Sequence, residues 1–173
     1  MHSLPIYTAY SDNKMLGLTW ERAGPLVVGA ASAALVLWRG EHFFASAAEH
    51  KWHLDALYAS VFNIAAAASA FLFAFYTYVR TAEGRILREI RGSGLFRRAS
   101  RFMIRTIINS SVLAMVTVPL VVAVPEPHET AERWFWIVVV WAAYSGYVFA
   151  AIGRSVYHFI AIMEAAFGDR LAG

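Results

Sequence analysis

Histidines in two polar stretches are the residues of this chain best suited to bind a metal ion or to titrate near neutral pH. His42, His50 and His53 would lie within about 100° of one helix face if residues 41–54 are helical. His128 lies between two glutamates in the other polar stretch. Imidazole groups suit zinc or a pH sensor, although the spacing matches no specific zinc motif. The alternative is that all four are solvated loop residues.

Arginines form the strongest charged feature of the sequence. Eight of them fall between Arg80 and Arg105, against two glutamates. They could bind phosphate groups of an anionic lipid or hold a soluble protein partner, or they could serve only to orient the chain in a membrane. Nucleic acid is disfavoured as a partner because the pI of 9.4 reflects this one segment. The residues predicted to face an anion or a partner are Arg85, Arg88, Arg91, Arg97, Arg98, Arg101 and Arg105.

Uncharged polar residues also occur within long apolar stretches. Asn63 and the run of Asn109, Ser110 and Ser111 could line a water-filled path, or they could form hydrogen bonds between helices. Small residues recur at intervals of four around Gly146, and such spacing predicts close helix contacts.

The residues that most enzymes and ion pumps require are missing from the expected places. The chain has no cysteine, which removes thiolate metal sites and cysteine nucleophiles. No ionisable residue is predicted near the centre of an apolar stretch, where proton-coupled transporters keep a carboxylate and haem bundles keep histidines. The sequence therefore predicts a protein that is not an enzyme and that needs no cofactor.

Four apolar stretches must position these groups. They are long enough for helices that cross about 30 Å of hydrocarbon at about 1.5 Å per residue. A composition of 59% hydrophobic and 16% charged residues agrees with this reading. The chain is predicted to be an all-α integral membrane protein, a single four-helix domain with spans near residues 18–39, 56–79, 106–125 and 134–153.

The distribution of positive charge predicts how these spans are oriented. Positively charged residues remain preferentially on the cytoplasmic side, so the segment 80–105 and both termini should be cytoplasmic. Of the 15 lysines and arginines, only Arg39, Lys51 and Arg133 would then lie outside. The expected location is the inner membrane of a bacterium.

Two cytoplasmic elements are predicted beyond the spans. Residues 80–105 should form a helical hairpin that joins the second and third spans, because good helix formers flank the break at Gly92 and Gly94. Residues 154–167 have apolar positions at helical intervals and should form an amphipathic helix after the last span.

Three functions are compatible with this architecture. The first is a homo-oligomer that surrounds a pore or ion path with a basic cytoplasmic vestibule. The second is a membrane anchor or sensor that docks a soluble cytoplasmic partner, for example in a bacterial stress or phage-defence module. The third is an assembly subunit of a larger membrane complex without activity of its own.

Overall fold

Four helices account for nearly all of the structure, a computed structural model that describes residues 6–50, 53–81, 94–124 and 133–171. They are α1 (Ile6–Glu49), α2 (Leu54–Thr81), α3 (Gly94–Ala123) and α4 (Arg133–Leu171). Each contains a segment long and apolar enough to cross a membrane: Ala23–Gly40, Leu54–Thr81, Ala99–Ala123 and Arg133–Ile160. The predicted all-helical fold with four membrane-length helices is confirmed for the described residues.

The surface of the bundle matches a bilayer. Large apolar side chains such as Val122 and Met115 are exposed on its sides, as lipid-facing residues are. Exposed tryptophans mark one end, whereas exposed Tyr78 and Tyr157 mark the other. Trp136 and Tyr157 are about 21 residues apart on α4, or ~31 Å, which fits the ~30 Å hydrocarbon layer. We call the two ends the tryptophan end (Trp38, Trp134, Trp136) and the arginine end (Arg80, Arg97, Arg101).

The helices lie in the spatial order α1, α4, α3, α2. The α2–α3 and α1–α4 pairs make the most extensive contacts, and α3–α4 packing joins the two pairs. Besides Ser100 and Ala114, eight buried positions of α3 alternate at intervals of three and four residues, the pattern of helices that coil around each other with a left-handed twist. These positions are Phe96, Ala99, Met103, Thr106, Ser110, Leu113, Thr117 and Leu120.

Among the side chains that the structure describes, those of α1 join the clusters of the common core near the tryptophan end. There, Phe44 packs in a cluster with buried residues of the other three helices, among them Tyr58, Leu120 and Val138. The deeper described cluster, which includes Ala65, is formed by α2, α3 and α4 alone. Over most of the membrane, α1 is therefore held by α4.

Two glycines explain why α1 can pack so closely on α4. A Cβ atom added to Gly29 would lie 2.7 Å from the carbonyl oxygen of Ala143. A Cβ atom added to Gly146 would collide with Ser32 and lie 3.1 Å from the carbonyl oxygen of Val28. The small face predicted around Gly146 is thus a helix contact, and its partner is α1.

Several helix boundaries differ from those predicted. The expected helix over residues 41–54 ends at Glu49, and α2 begins at Leu54. The last span and the amphipathic helix predicted after Arg154 form one continuous helix to Leu171. The first span likewise lies within the longer α1, whereas α3 begins before the third span and ends at Ala123, two residues before the predicted end of that span. In the predicted hairpin, α2 ends at Thr81 and α3 begins at Gly94, while residues 82–93 lie outside the described residues.

Candidate functional site

The three residues of the run Asn109, Ser110 and Ser111 have different surroundings within the bundle. The Tyr144 hydroxyl donates toward the carbonyl oxygen of Asn109 at 3.2 Å and toward its Oδ1 at 3.3 Å. The hydroxyl of Ser111 lies 2.7 Å from that of Ser69 on α2, whereas Ser110 is fully buried. Successive helical residues point about 100° apart, so these three side chains face different surroundings. Asn109 and Ser111 thereby link α3 to α4 and α2.

Further hydroxyl groups, which the sequence interpretation missed, connect α3 and α4. Thr106 and Ser155 are both buried, with their hydroxyl oxygens 2.9 Å apart. The indole N–H of Trp141 donates to Thr117 Oγ1 at 2.9 Å, and Thr117 itself donates to the carbonyl oxygen of Leu113 at 2.7 Å. The signal available in the sequence was that Thr106, Ser110 and Thr117 are four and seven residues apart and therefore lie on one side of the helix.

Asn63 differs from these residues because its amide faces away from the bundle. It lies on the exposed side of α2, nine residues after Leu54, or ~13 Å along the helix. Within the described part of the chain, its amide makes no hydrogen bond to another residue. An amide in hydrocarbon without a hydrogen-bonding partner costs several kcal/mol. This surface is therefore suited to contact a further helix or water.

Small and polar residues accompany Asn63 along the whole exposed side of α2. Their spacing alternates between four and three residues, which is the spacing of a coiled-coil contact. Ser60 and Thr81 donate to carbonyl oxygens one turn earlier, at 2.7 and 2.8 Å, so these hydroxyls are satisfied within the helix. The α2 stripe consists of Ala56, Ser60, Asn63, Ala67, Ala70, Ala74, Thr77 and Thr81, all exposed.

Of the eight arginines between Arg80 and Arg105, those that the structure describes lie at one end of the α2–α3 pair. Arg97, Arg101 and Arg105 are exposed at intervals of four in the first turns of α3. Arg80 lies at the end of α2, with its guanidinium carbon 5.7 Å from the centre of the Tyr76 ring. The predicted residues Arg85, Arg88 and Arg91 and the side chain of Arg98 lie outside the described residues.

The histidines of the predicted metal or pH site are not brought together in the described part of the chain. Because α1 ends at Glu49, His42 lies on this helix whereas His50 and His53 do not. His50 Nδ1 lies 2.9 Å from the carbonyl oxygen of Ser46, and His53 Nδ1 lies 3.6 Å from Asp55 Oδ1. Among the described residues, no three potential ligands form a group that could hold a metal ion. His128 lies outside those residues.

The candidate site is therefore the α2 stripe together with the arginines beside its end. It offers hydroxyl and amide groups along the membrane, and guanidinium groups where α2 and α3 leave it. Such groups can form hydrogen bonds between helices, replace part of the hydration shell of an ion, and attract anions. No known protein family, curated protein or solved structure matches the chain.

Proposed function

We propose that the protein is a homo-oligomeric channel of a bacterial inner membrane, in which the α2 stripes of several copies face a common ion path. The observation that carries this proposal is the position of Asn63, an unpaired amide within a continuous exposed stripe of small residues. Neither the Asn63 amide nor the stripe of small residues is needed for packing within one chain, because α2 buries its opposite side against α3.

A second copy of the same chain is a suitable neighbour for this amide. Copies inserted in the same direction have parallel α2 helices, so Asn63 of each copy lies at the same depth. An amide both donates and accepts hydrogen bonds, so a closed ring of identical subunits can satisfy every Asn63 side chain. A single buried asparagine also fixes the register between neighbouring helices.

The order of residues along the stripe fits an ion path with a central constriction. Ser60 and Asn63 provide polar groups toward the tryptophan end, and Thr77 provides one toward the arginine end. Ala67, Ala70 and Ala74 lie between them and would form an apolar constriction, which conducts only when water fills it.

The arginine end favours anions in this proposal. Arg80 lies beside the last stripe residue, Thr81, and Arg97, Arg101 and Arg105 are exposed on the neighbouring helix. Several copies of this cluster around one axis would raise the local anion concentration by electrostatic attraction. We therefore propose that the arginines form a cytoplasmic vestibule.

The alternative is a membrane anchor or sensor without conduction, and it has its own supporting observation. The guanidinium groups of Arg97, Arg101 and Arg105 are exposed rather than paired with carboxylates in the described part of the chain, so they are accessible to an acidic soluble partner. In that case the α2 stripe would contact another membrane subunit.

Mass and ion flux together test the channel. We expect the detergent-extracted particle to contain several copies, and liposomes containing the protein to release chloride faster than potassium. Asn63→Leu should lower the flux at least tenfold and shift the mass toward a single chain, because it removes the hydrogen bonds between copies. The matched control is Ile64→Leu at the adjacent exposed position, which should change neither.

A second variant separates conduction from assembly. Arg80→Gln should reduce the preference for chloride severalfold while leaving the mass of the particle unchanged, since Arg80 is not one of the stripe residues. Flux equal to that of empty liposomes would contradict the channel. If, in addition, a soluble protein copurifies with the wild type but not with the double variant Arg97→Gln/Arg101→Gln, the anchor would be supported in place of the channel.

A further inference from the structure

A cleft opens between α1 and α2 toward the tryptophan end, with α4 as its floor. Its volume is about 320 Å³. Val36 and Phe43 contribute to one wall, Leu57 to the other, and Val138 and Trp141 to the floor. The cleft exists because α1 packs along α4 through its glycine contact and, among the described side chains, joins those of α2 in the cluster around Phe44.

One end of this cleft is charged and the remainder is apolar. Arg39 is the charged residue among those that line it, and its guanidinium carbon lies 4.9 Å from the centre of the exposed Trp38 ring. The adjacent Gly40 packs against Phe135 in the first turn of α4, which places Arg39 at the depth of the tryptophans. From there, apolar lining continues to Ala142, about seven residues or ~10 Å farther along α4.

A ligand that fits must therefore have an anionic group at the membrane interface and a hydrocarbon chain below it. The planar guanidinium group of arginine matches the oxygens of a phosphate through paired hydrogen bonds. We propose that the cleft binds one phospholipid from the leaflet at the tryptophan end, with an acyl chain between α1 and α2 and its phosphate on Arg39. This site is independent of any contact between copies through the α2 stripe.

Lipid titration followed by native mass spectrometry tests the site. The detergent-purified protein is stripped of lipid and titrated with palmitoyl-oleoyl phosphatidylglycerol or with the diacylglycerol that has the same chains. We expect one phosphatidylglycerol bound per chain at low concentration, and binding of the diacylglycerol about tenfold weaker because it lacks the phosphate. Equal binding of the two lipids would overturn the proposal.

Variants locate the two halves of the ligand. Arg39→Gln should weaken phosphatidylglycerol binding about tenfold, whereas Arg133→Gln, which removes an exposed charge at the same end outside the cleft, should change it less than twofold. Leu35→Trp should abolish binding by filling the cleft from an exposed position, with an unchanged unfolding temperature as evidence that the fold persists. Unchanged affinity in the folded Leu35→Trp variant, or equal losses in the two arginine variants, would refute this site.

Discussion

Individual hydroxyl groups determine how α3 meets its neighbours. Thr117 accepts a hydrogen bond from Trp141 and donates one to Leu113, so its hydroxyl is fully used within the apolar interior. Trp141 also meets the Tyr58 ring edge-on, at 5.1 Å between ring centres. This single indole therefore connects α2, α3 and α4, and its position depends on the acceptor that Thr117 provides.

Loss of that acceptor should destabilise the bundle. We expect Thr117→Val to lower the free energy of unfolding by about 1 kcal/mol, because the Trp141 N–H remains buried without an acceptor. Reversible unfolding in mixed micelles with increasing sodium dodecyl sulfate measures the change. The matched control is Thr77→Val, which makes the same replacement at an exposed position of α2.

A double-mutant cycle tests whether this loss of stability comes from the hydrogen bond between Thr117 and Trp141. Trp141→Phe removes the donor, so Thr117→Val should cost about 0.5 kcal/mol less in that background than in the wild type. A cost at Thr117 no greater than at Thr77 would show that the hydrogen bond contributes nothing to stability.

The sequence identified polar residues within the apolar stretches, but it did not predict which groups those residues contact. It indicated Asn63 and the run Asn109 to Ser111, but successive helical residues point about 100° apart, so the three side chains of the run have different surroundings. Whether such a residue faces lipid or another helix depends on packing between distant parts of the chain. Thr117 was missed for the same reason, because its role follows from the tryptophan opposite to it.

At the scale of whole helices, the distribution of charge did not predict the helix ends. The charged residues after Trp38 predicted the end of the first span, yet α1 continues to Glu49 because backbone hydrogen bonds persist in water. The same holds beyond Arg154 in α4. Apolar length therefore predicted four spans correctly, while the pairing of α1 with α4 depended on a close backbone contact that hydropathy does not detect.

That contact gives a prediction for α1. Gly29→Leu should separate α1 from α4, because the added Cβ atom would meet the backbone of Ala143 at 2.7 Å and a backbone atom cannot move aside cheaply. Nitroxide labels on cysteines at the exposed positions Leu37 and Ile137 report the separation by pulsed electron paramagnetic resonance. The distance distribution should broaden and shift to longer values.

The matched control for this prediction is a glycine with free space around it. Gly153 on α4 has no atom within 4 Å of an added Cβ, so Gly153→Leu should leave the distance distribution unchanged. The native chain contains no cysteine, so the two labels are the only ones attached. An unaltered distribution in Gly29→Leu would mean that α1 does not depend on this contact.

The whole molecule has two unlike ends, and the proposed functions depend on which end faces the cytoplasm. The tryptophan end carries Arg39 and Arg133, whereas the arginine end carries Arg80 and the arginines of α3. The channel and the anchor both require this second set to be cytoplasmic. The lipid cleft would then draw on the outer leaflet.

Single cysteines provide a direct measurement of this orientation, because the native chain has none. Glu49→Cys and Thr81→Cys place a thiol at exposed positions on opposite ends of the bundle. The excess of arginines near Thr81 should keep that end inside, so a membrane-impermeant maleimide should label Glu49→Cys in intact spheroplasts and label Thr81→Cys only after lysis. Labelling of Thr81→Cys before lysis would place the arginines outside, where neither a cytoplasmic vestibule nor a cytoplasmic partner is possible.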